Sequence, residues 1–137
     1  MKSGKESSTN WEEEWERAIG FLEAAEDRLS KGDIRTSANR CYFSEERAFV
    51  TALKKNLIRT PKNHKKIWIL SAQIDLKNDL KTDSFSFLNE LYDLRMQADY
   101  GNVSEIIQLN EETLRLYLEK TKKVIGGIKK ILEQNQK

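Results

Sequence analysis

Arginine and aspartate lie one helical turn apart in the segment 91–101, LYDLRMQADYG. Arg95 falls on the same helical stripe as apolar residues such as Leu91, and Asp99 lies over it at the i, i+4 position. A guanidinium on an apolar stripe needs an anionic partner or ligand, because burying it alone is costly. The spacing by itself favours an intrahelical ion pair with Asp99. The alternative is an arginine held ready to grip a phosphate, for which its planar fork is suited.

A run of cations without a single acid occupies residues 54–66 and also contains His64, the one histidine of the chain. The commoner explanation of such a run is a helix C-terminus followed by a solvated loop. The functional alternative is a contact surface for phosphate or RNA. Trp68 follows the run and could stack on a base, although tryptophan is more often a core residue. The cations are Lys54, Lys55, Arg59, Lys62, Lys65 and Lys66.

His64 and Cys41 are the remaining side chains with reactive groups. A lone histidine just after Pro61 is usually a capping or surface residue, and it would act as a base only with a partner brought close by the fold. Cys41 lies on a stripe of small residues, which predicts a buried, inert thiol. One histidine and one cysteine cannot form a typical structural zinc site, and no glycine-rich phosphate loop is present, so we expect no metal or cofactor.

The length and composition predict one strongly charged domain without a membrane segment. The chain has 137 residues, 34% of them charged, with 24 Lys+Arg against 22 Asp+Glu. Its longest apolar run, residues 67–70, is far shorter than the roughly 20 residues a membrane span needs. Residues 1–10 are polar and contain no apolar signal region, so we expect a cytoplasmic protein with a frayed N-terminal tail.

Helical periodicity runs through the rest of the chain. The predicted class is all-α, an up-and-down bundle of four to five helices, with residues 11–134 forming a single domain. One proline and six glycines leave little turn chemistry for a β-rich fold. The predicted helices cover about residues 11–31, 33–59, 63–80, 84–101 and 110–134.

The second predicted helix has two different faces. One carries bulky apolar residues, and the other carries the small residues Ser37, Cys41, Ser44, Ala48 and Ala52. Small residues permit close helix approach. The sequence leaves open whether that approach occurs within one protomer or across a two-fold axis.

Three segments together resemble the HEPN family. Residues 38–43, ANRCYF, resemble the Arg-x-Tyr-aromatic start of that family's second helix, and residues 59–64, RTPKNH, resemble its Pro-x-x-His loop. Residues 91–100, LYDLRMQADY, closely resemble the Leu-Arg-x-x-Ala-Asp-Tyr helix of one prokaryotic subgroup. The similarity covers roughly residues 15–130, with the three segments in the family's order and spacing.

The resemblance implies a HEPN-like helical bundle that forms a homodimer and pairs with a minimal nucleotidyltransferase, as in toxin–antitoxin systems. Active members are metal-independent ribonucleases with an arginine followed four to six residues later by a histidine, repeated across the dimer cleft. The arginine, here matched by Arg95, would hold the scissile phosphate. The histidine would move the proton of the attacking 2′-hydroxyl.

This chain departs from the family pattern where that histidine should stand. The three possible positions hold Tyr100, Gly101 and Asn102. A tyrosine with an ordinary pKa near 10 is a poor base at neutral pH. In some relatives a tyrosine near the motif accepts nucleotidyl groups, which makes Tyr100 a candidate. Two acids, Glu45 and Glu46, stand where relatives often have an apolar residue and phenylalanine, and they would repel phosphate if they faced the cleft.

The missing histidine favours a non-enzymatic interaction module that pairs with a minimal nucleotidyltransferase and binds nucleotide or RNA. The alternative is a ribonuclease toxin that uses Arg95 with Tyr100 or another base as catalytic residues. A third possibility is a purely structural role for the polar residues. The candidate nucleotide- or RNA-binding residues are Arg95, Asp99, Tyr100, Arg40, Tyr42 and His64.

Overall fold

The computed structural model describes residues 10–78, 83–101 and 107–134, and every regular element in those ranges is an α-helix. This confirms the predicted all-α bundle, with five helices in the described ranges. Except for Asn10, the predicted N-terminal tail lies outside the described residues, as do the predicted end of the third helix and residues 102–106. The helices are α1 (Trp11–Ser30), α2 (Ile34–Lys55), α3 (His64–Asn78), α4 (Ser84–Tyr100) and α5 (Glu111–Gln134).

Helix α2 lies at the centre of the bundle and contacts each of the other four helices. It carries the largest fully buried side chains of the core, among them Tyr42, Phe49 and Leu53. Helix α1 runs antiparallel to it, since Ser37 bonds to Ala25 and Ser44 to Ala18. Helix α4 is antiparallel to it as well, since Arg35 bonds to Ala98 and Tyr42 contacts Tyr92. A helix surrounded by other helices must carry apolar side chains, or polar side chains with hydrogen-bond partners, on every face. Polar groups on α2 are therefore informative about the site.

The small residues of α2 allow close packing inside the protomer. The Ser37 hydroxyl donates to the Ala25 carbonyl at 2.7 Å, and the Ser44 hydroxyl donates to the Ala18 carbonyl at 2.8 Å. The Cys41 Sγ lies 3.2 Å from the Thr121 Oγ1 on α5. Of the two possibilities left open by the sequence, these contacts support close approach within one chain. The small-residue stripe thus gives no argument for a dimer interface.

Helix α2 ends at Lys55, four residues before the predicted end. The Ile58 N–H donates to the Leu53 carbonyl at 2.8 Å, and the Leu57 N–H donates to the Lys54 carbonyl at 2.9 Å. This is the Schellman pattern, which needs a left-handed residue after the helix. Leu57 takes that place with φ of 60°, and its side chain is 73% exposed. Leucine rarely adopts this conformation, so the sequence carries no signal for the early stop.

Helix α5 buries one face along its whole length. Its buried residues recur at steps of three and four, and lysines and glutamates cover its other face. Across the described ranges, no helix combines the length and apolar character needed to cross a membrane. The buried residues of α5 are Leu114, Tyr117, Leu118, Thr121, Ile125, Ile128, Ile131 and Leu132.

Asn63 caps the helix that begins with His64. Its side-chain oxygen accepts a hydrogen bond from the Lys66 N–H at 3.2 Å, and its carbonyl accepts from the Ile67 N–H. Replacing Asn63 with alanine removes the cap acceptor, and we expect a loss of about 1 kcal/mol in the free energy of unfolding. Urea denaturation measures the change. Asn63→Asp keeps an acceptor at this position and should stay close to the wild type, whereas equal losses for both variants would contradict the capping role.

Candidate phosphate-binding site

Arg95 lies on α4 with its side chain only 16% exposed. Its Nε donates to the Asp99 Oδ2 at 3.2 Å, so the ion pair favoured by the spacing is present. The guanidinium carbon also lies 4.7 Å from the ring centre of Phe43 and 5.5 Å from that of Tyr92. Such stacking fixes the plane of the guanidinium. Within the described residues, its two terminal nitrogens have no hydrogen-bond partner, so they can grip a phosphate.

Asp99 connects Arg95 to the first turns of α2. Its Oδ2 also accepts from the Asn39 Nδ2 at 3.0 Å, and the Asn39 Oδ1 accepts from the Arg40 Nη1 at 2.5 Å. Three of the predicted site residues, Arg95, Asp99 and Arg40, therefore belong to one hydrogen-bonded chain. The carboxylate orients Arg95 without occupying its outer edge.

A further arginine lies beside this chain. The Arg35 Nε donates to the Ala98 carbonyl at 2.7 Å, near the end of α4 where the helix dipole favours cations. An open polar cavity of about 330 Å³ lies at this junction. Arg35, Arg40 and Arg95 outnumber Asp99, so the surface favours an anion. The cavity is lined by Arg35, Thr36, Asn39, Arg40, Ala98 and Asp99.

Tyr42 and His64 converge on the buried carboxylate of Glu46. The Glu46 Oε2 lies 2.6 Å from the His64 Nδ1 and accepts from the Tyr42 hydroxyl at 2.5 Å. The Glu46 Oε1 pairs with the Arg47 Nη2 at 3.2 Å. The Trp68 Nε1 donates to the Tyr42 hydroxyl at 3.2 Å. Burial, followed by the nearby Glu46 carboxylate, raises the pKa of Tyr42 and keeps its hydroxyl protonated.

His64 and Arg95 both pack against the rings of Tyr42 and Tyr92. The His64 ring lies 5.9 Å from the Tyr42 ring and 5.5 Å from the Tyr92 ring. The Arg95 guanidinium carbon lies 5.8 Å and 5.5 Å from those rings. Residues 31 positions apart in sequence are thus brought to one aromatic platform. A lone histidine can act as a base only if the fold brings a partner close to it, and the sequence alone could not show such a partner.

The cations of residues 54–66 divide into two that contact a partner and four that form no ion pair in the described part of the chain. The Lys54 Nζ donates to the Glu14 carboxylate at 2.9 Å, and the Lys55 Nζ lies 4.5 Å from the centre of the Trp11 ring. These two lysines attach α2 to α1. The other four cations are exposed, lie within five residues of His64 along the chain and form no ion pair within the described ranges: Arg59, Lys62, Lys65 and Lys66. The stretch therefore contributes positive charge beside the site.

Two other candidates, Cys41 and Tyr100, lie outside this network, and Trp68 joins it only as a buried hydrogen-bond donor to Tyr42. Trp68 is 4% exposed and packs on Phe85 and Tyr92, so it is a core residue rather than a base-stacking platform. Cys41 is fully buried, and burial raises its pKa to about 12, as expected of an inert thiol. Tyr100 is 65% exposed at the end of α4 and has no hydrogen bond or ring contact with another described residue.

The two acids of α2 do not face a cleft. Glu45 and Glu46 are 0% and 1% exposed, so neither presents a carboxylate that would repel phosphate at the surface. Glu46 has three partners, whereas both oxygens of Glu45 are buried without a hydrogen-bond partner in the described part of the chain. Burial, with a smaller contribution from Asp75, raises the pKa of Glu45 well above its usual value.

Sequence reasoning did not identify Arg35, Phe43 or the role of Glu46. Arg35 had no motif to mark it, and Phe43 appeared only as the aromatic of the Arg-x-Tyr-aromatic segment. The contact between Glu46 and Tyr42 could have been predicted from the sequence, because the two residues lie four positions apart on one helix face. The described ranges contain no group of three or more His, Cys, Asp or Glu side chains placed to hold a metal ion. The groups assembled here suit an anion instead.

Comparison with known proteins agrees with this architecture. A family model described as "HEPN domain" matches residues 11–132, nearly the whole described chain. A Methanocaldococcus jannaschii protein named "Putative toxin MJ0142" is 31% identical over 115 residues, which cover 80% of this chain and 78% of the relative. The family match includes α1 to α4 and most of α5, and with them the site built on α2, α3 and α4.

Proposed function

Because the chain belongs to the HEPN domain family, we propose that it is a toxin-like HEPN protein that binds a phosphate of RNA or nucleotide on Arg95. The observation that carries the proposal is the state of Arg95. Its guanidinium is stacked on aromatic rings, is oriented by Asp99 and keeps both terminal nitrogens free of partners among the described residues. A bidentate phosphate contact needs that edge.

The charge around Arg95 supports an anionic ligand. Arg35 and Arg40 border the polar cavity beside Asp99, and four exposed cations lie within five residues of His64 along the chain. Clustered positive charge raises the local concentration of phosphate-bearing ligands and contributes affinity that falls with salt. The net charge of the whole chain is only +2, so this attraction is local.

The biological setting follows from the family rather than from the geometry. We propose a homodimer that pairs with a minimal nucleotidyltransferase in a toxin–antitoxin-like system, and a cytoplasmic location. The relative named as a toxin supports the toxin-like part of this proposal. The nucleotidyltransferase, the homodimer and the exposed Tyr100 as a nucleotidyl acceptor are separate claims that each require a test.

Induced expression of the full chain in its native host tests the toxin-like role. We expect wild-type protein to slow growth and Arg95→Ala to relieve that inhibition at equal protein levels. A tagged copy of the same chain should recover a small nucleotidyltransferase, identified by mass spectrometry, and co-expression of that partner should restore growth. Growth inhibition that is equally strong in Arg95→Ala would contradict the role of Arg95.

Sedimentation analysis at micromolar concentration tests the homodimer. A monomer in the absence of the partner would count against a cleft shared between two copies. Recovery of the chain alone from its host would remove the nucleotidyltransferase from the proposal and leave the phosphate site to be judged by direct binding.

A further inference from the structure

An apolar groove lies where the C-terminal parts of α2 and α3 meet the end of α5. Its volume is about 270 Å³. The groove opens to solvent, because Ile58 in its lining is 43% exposed and the lining residues Asn56 and Gln73 are exposed as well. Its apolar surface is formed mainly by Leu53, Ile58, Leu70, Ile74 and Ile131.

Large exposed apolar side chains concentrate beside this groove. Five such side chains occur in the described ranges, and three of them are Leu57, Ile58 and Ile69. Ile58 lines the groove, Leu57 precedes it, and Ile69 lies one helical turn before Gln73. Single apolar residues scattered over a surface are normal, whereas a cluster of them next to a groove marks an interaction site.

Leu57 has a conformational cost that its own packing does not offset. Its φ of 60° lies in the left-handed region, which glycine adopts without strain and leucine rarely adopts. Its side chain is 73% exposed, so burial within the described chain returns little free energy. Local rules of this kind are broken mostly at functional sites. A partner that covers Leu57 would account for a leucine at a position that favours glycine.

Positive charge flanks the groove. Lys77 lines it, Arg59 follows Ile58, and Lys66 lies one helical turn before Leu70. All three cations are exposed, and none forms an ion pair in the part of the chain that the structure describes. No acidic residue is among the described residues that line the groove. The charge of this surface therefore complements an acidic partner.

We propose that the groove docks an amphipathic helix of another protein, which inserts aliphatic side chains and places aspartate or glutamate beside the three cations. Helices bind such grooves through apolar residues at i, i+3, i+4 and i+7. A second copy of the chain fits less well, because a two-fold axis brings a surface against itself and would set cation against cation. On α2 the groove begins about 18 Å from Arg40, at 1.5 Å per residue, so the surface is separate from the phosphate site and the proposal is independent of it.

Selection from a displayed peptide library on the full-length protein tests the docking surface. The peptides have about 16 residues, roughly four helical turns, with leucine at the anchor spacing and glutamate, lysine or serine at the other positions. We expect the bound peptides to be enriched in glutamate over lysine. The affinity of a synthesised acidic peptide should fall as salt is raised. The same leucines flanked by lysine should bind about 10-fold more weakly or worse.

Variants of the groove locate the bound peptide. Ile58→Asp places a carboxylate on a side chain that is already partly exposed and should weaken binding of the acidic peptide by about 10-fold or more. Leu57→Gly should also weaken it without lowering the free energy of unfolding, because glycine adopts the left-handed conformation without strain. Lys77→Glu should weaken it as well. Lys123→Glu makes the same change on an exposed α5 residue outside the groove lining and should keep the affinity within about 2-fold.

The outcomes separate this surface from the phosphate site. Arg95→Ala should bind the acidic peptide as tightly as the wild type, and Ile58→Asp should bind RNA as the wild type does. A library that yields no binder, or binders without a preference for glutamate, would overturn the acidic partner. Unchanged peptide affinity in both Ile58→Asp and Leu57→Gly would overturn the location. A dimer that sedimentation detects, that Ile58→Asp dissociates and that the peptide does not displace would assign the groove to a second copy and overturn the proposal.

Discussion

Arg95→Ala is expected to weaken binding of short single-stranded RNA by about 10- to 100-fold, the range for a lost charge-assisted hydrogen bond. The loss should be this large because the stacked guanidinium has little freedom left to lose when phosphate binds. Fluorescence anisotropy with a labelled RNA at fixed salt measures it. The RNA affinity of Arg95→Lys should lie between those of the wild type and Arg95→Ala, since lysine keeps the charge and loses the planar fork.

Stability measured on the same variants tells a binding role from a structural one. The Arg95–Asp99 pair is only partly buried, so Arg95→Ala should lower the free energy of unfolding by about 1 kcal/mol or less. Arg115 offers a matched control, because it also forms an arginine–acid pair one helical turn long, with Glu111 on the exposed face of α5. Arg115→Ala should change neither the RNA affinity nor the free energy of unfolding appreciably. A loss of about 3–5 kcal/mol in Arg95→Ala with unchanged RNA affinity would assign the pair a structural role.

Local geometry explains which features of the site could be predicted from sequence. Arg95 and Asp99 meet because they lie four residues apart on one helix, and that spacing is visible without a structure. The same holds for α5, whose periodicity predicts a helix over about residues 110–134. These features lie within single helices, so predicting the helices also predicts them.

Contacts between helices explain what sequence could not predict. The pairing of His64 with Glu46 depends on how α3 packs against α2, and no spacing rule connects positions 18 residues apart across a turn. The end of α2 is a similar case, since Leu57 adopts a left-handed conformation that its residue type disfavours. The sequence shows the charge of Glu45 and Glu46, which would repel phosphate if the side chains faced a cleft. Their burial, which decides whether they repel phosphate, is a tertiary property.

Glu45 offers the second large effect, a gain in stability. Its side chain is fully buried on the central helix, and neither oxygen has a hydrogen-bond partner within the described residues. An unpaired buried polar group costs about 1–3 kcal/mol. Methionine has a similar volume, is flexible enough to fill the space and carries no such group. We therefore expect Glu45→Met to raise the free energy of unfolding by about 1–3 kcal/mol at neutral pH.

The gain should depend on pH in one direction. Burial raises the pKa of the folded Glu45 well above the ordinary value that it has in the unfolded chain. Below the ordinary value both states hold the proton, and the group causes no pH dependence. As the pH rises between the two values, the unfolded state ionises first, so wild-type stability falls through this window. Glu45→Met removes that slope, and its advantage over the wild type should grow from pH 5 to pH 8.

Urea denaturation of both proteins at pH 5 and pH 8, at one protein concentration, measures this difference. All other titrating groups are shared, so the change in the gap between the two proteins isolates Glu45. Glu119→Met is the matched control, because Glu119 is 62% exposed on α5 and should give no pH-dependent gain. A gap that stays constant with pH, or a variant less stable than the wild type, would mean that Glu45 is paired in solution. Because Glu45 directly precedes Glu46 on α2, such a result would also place a second satisfied carboxylate next to the one that bonds Tyr42 and His64.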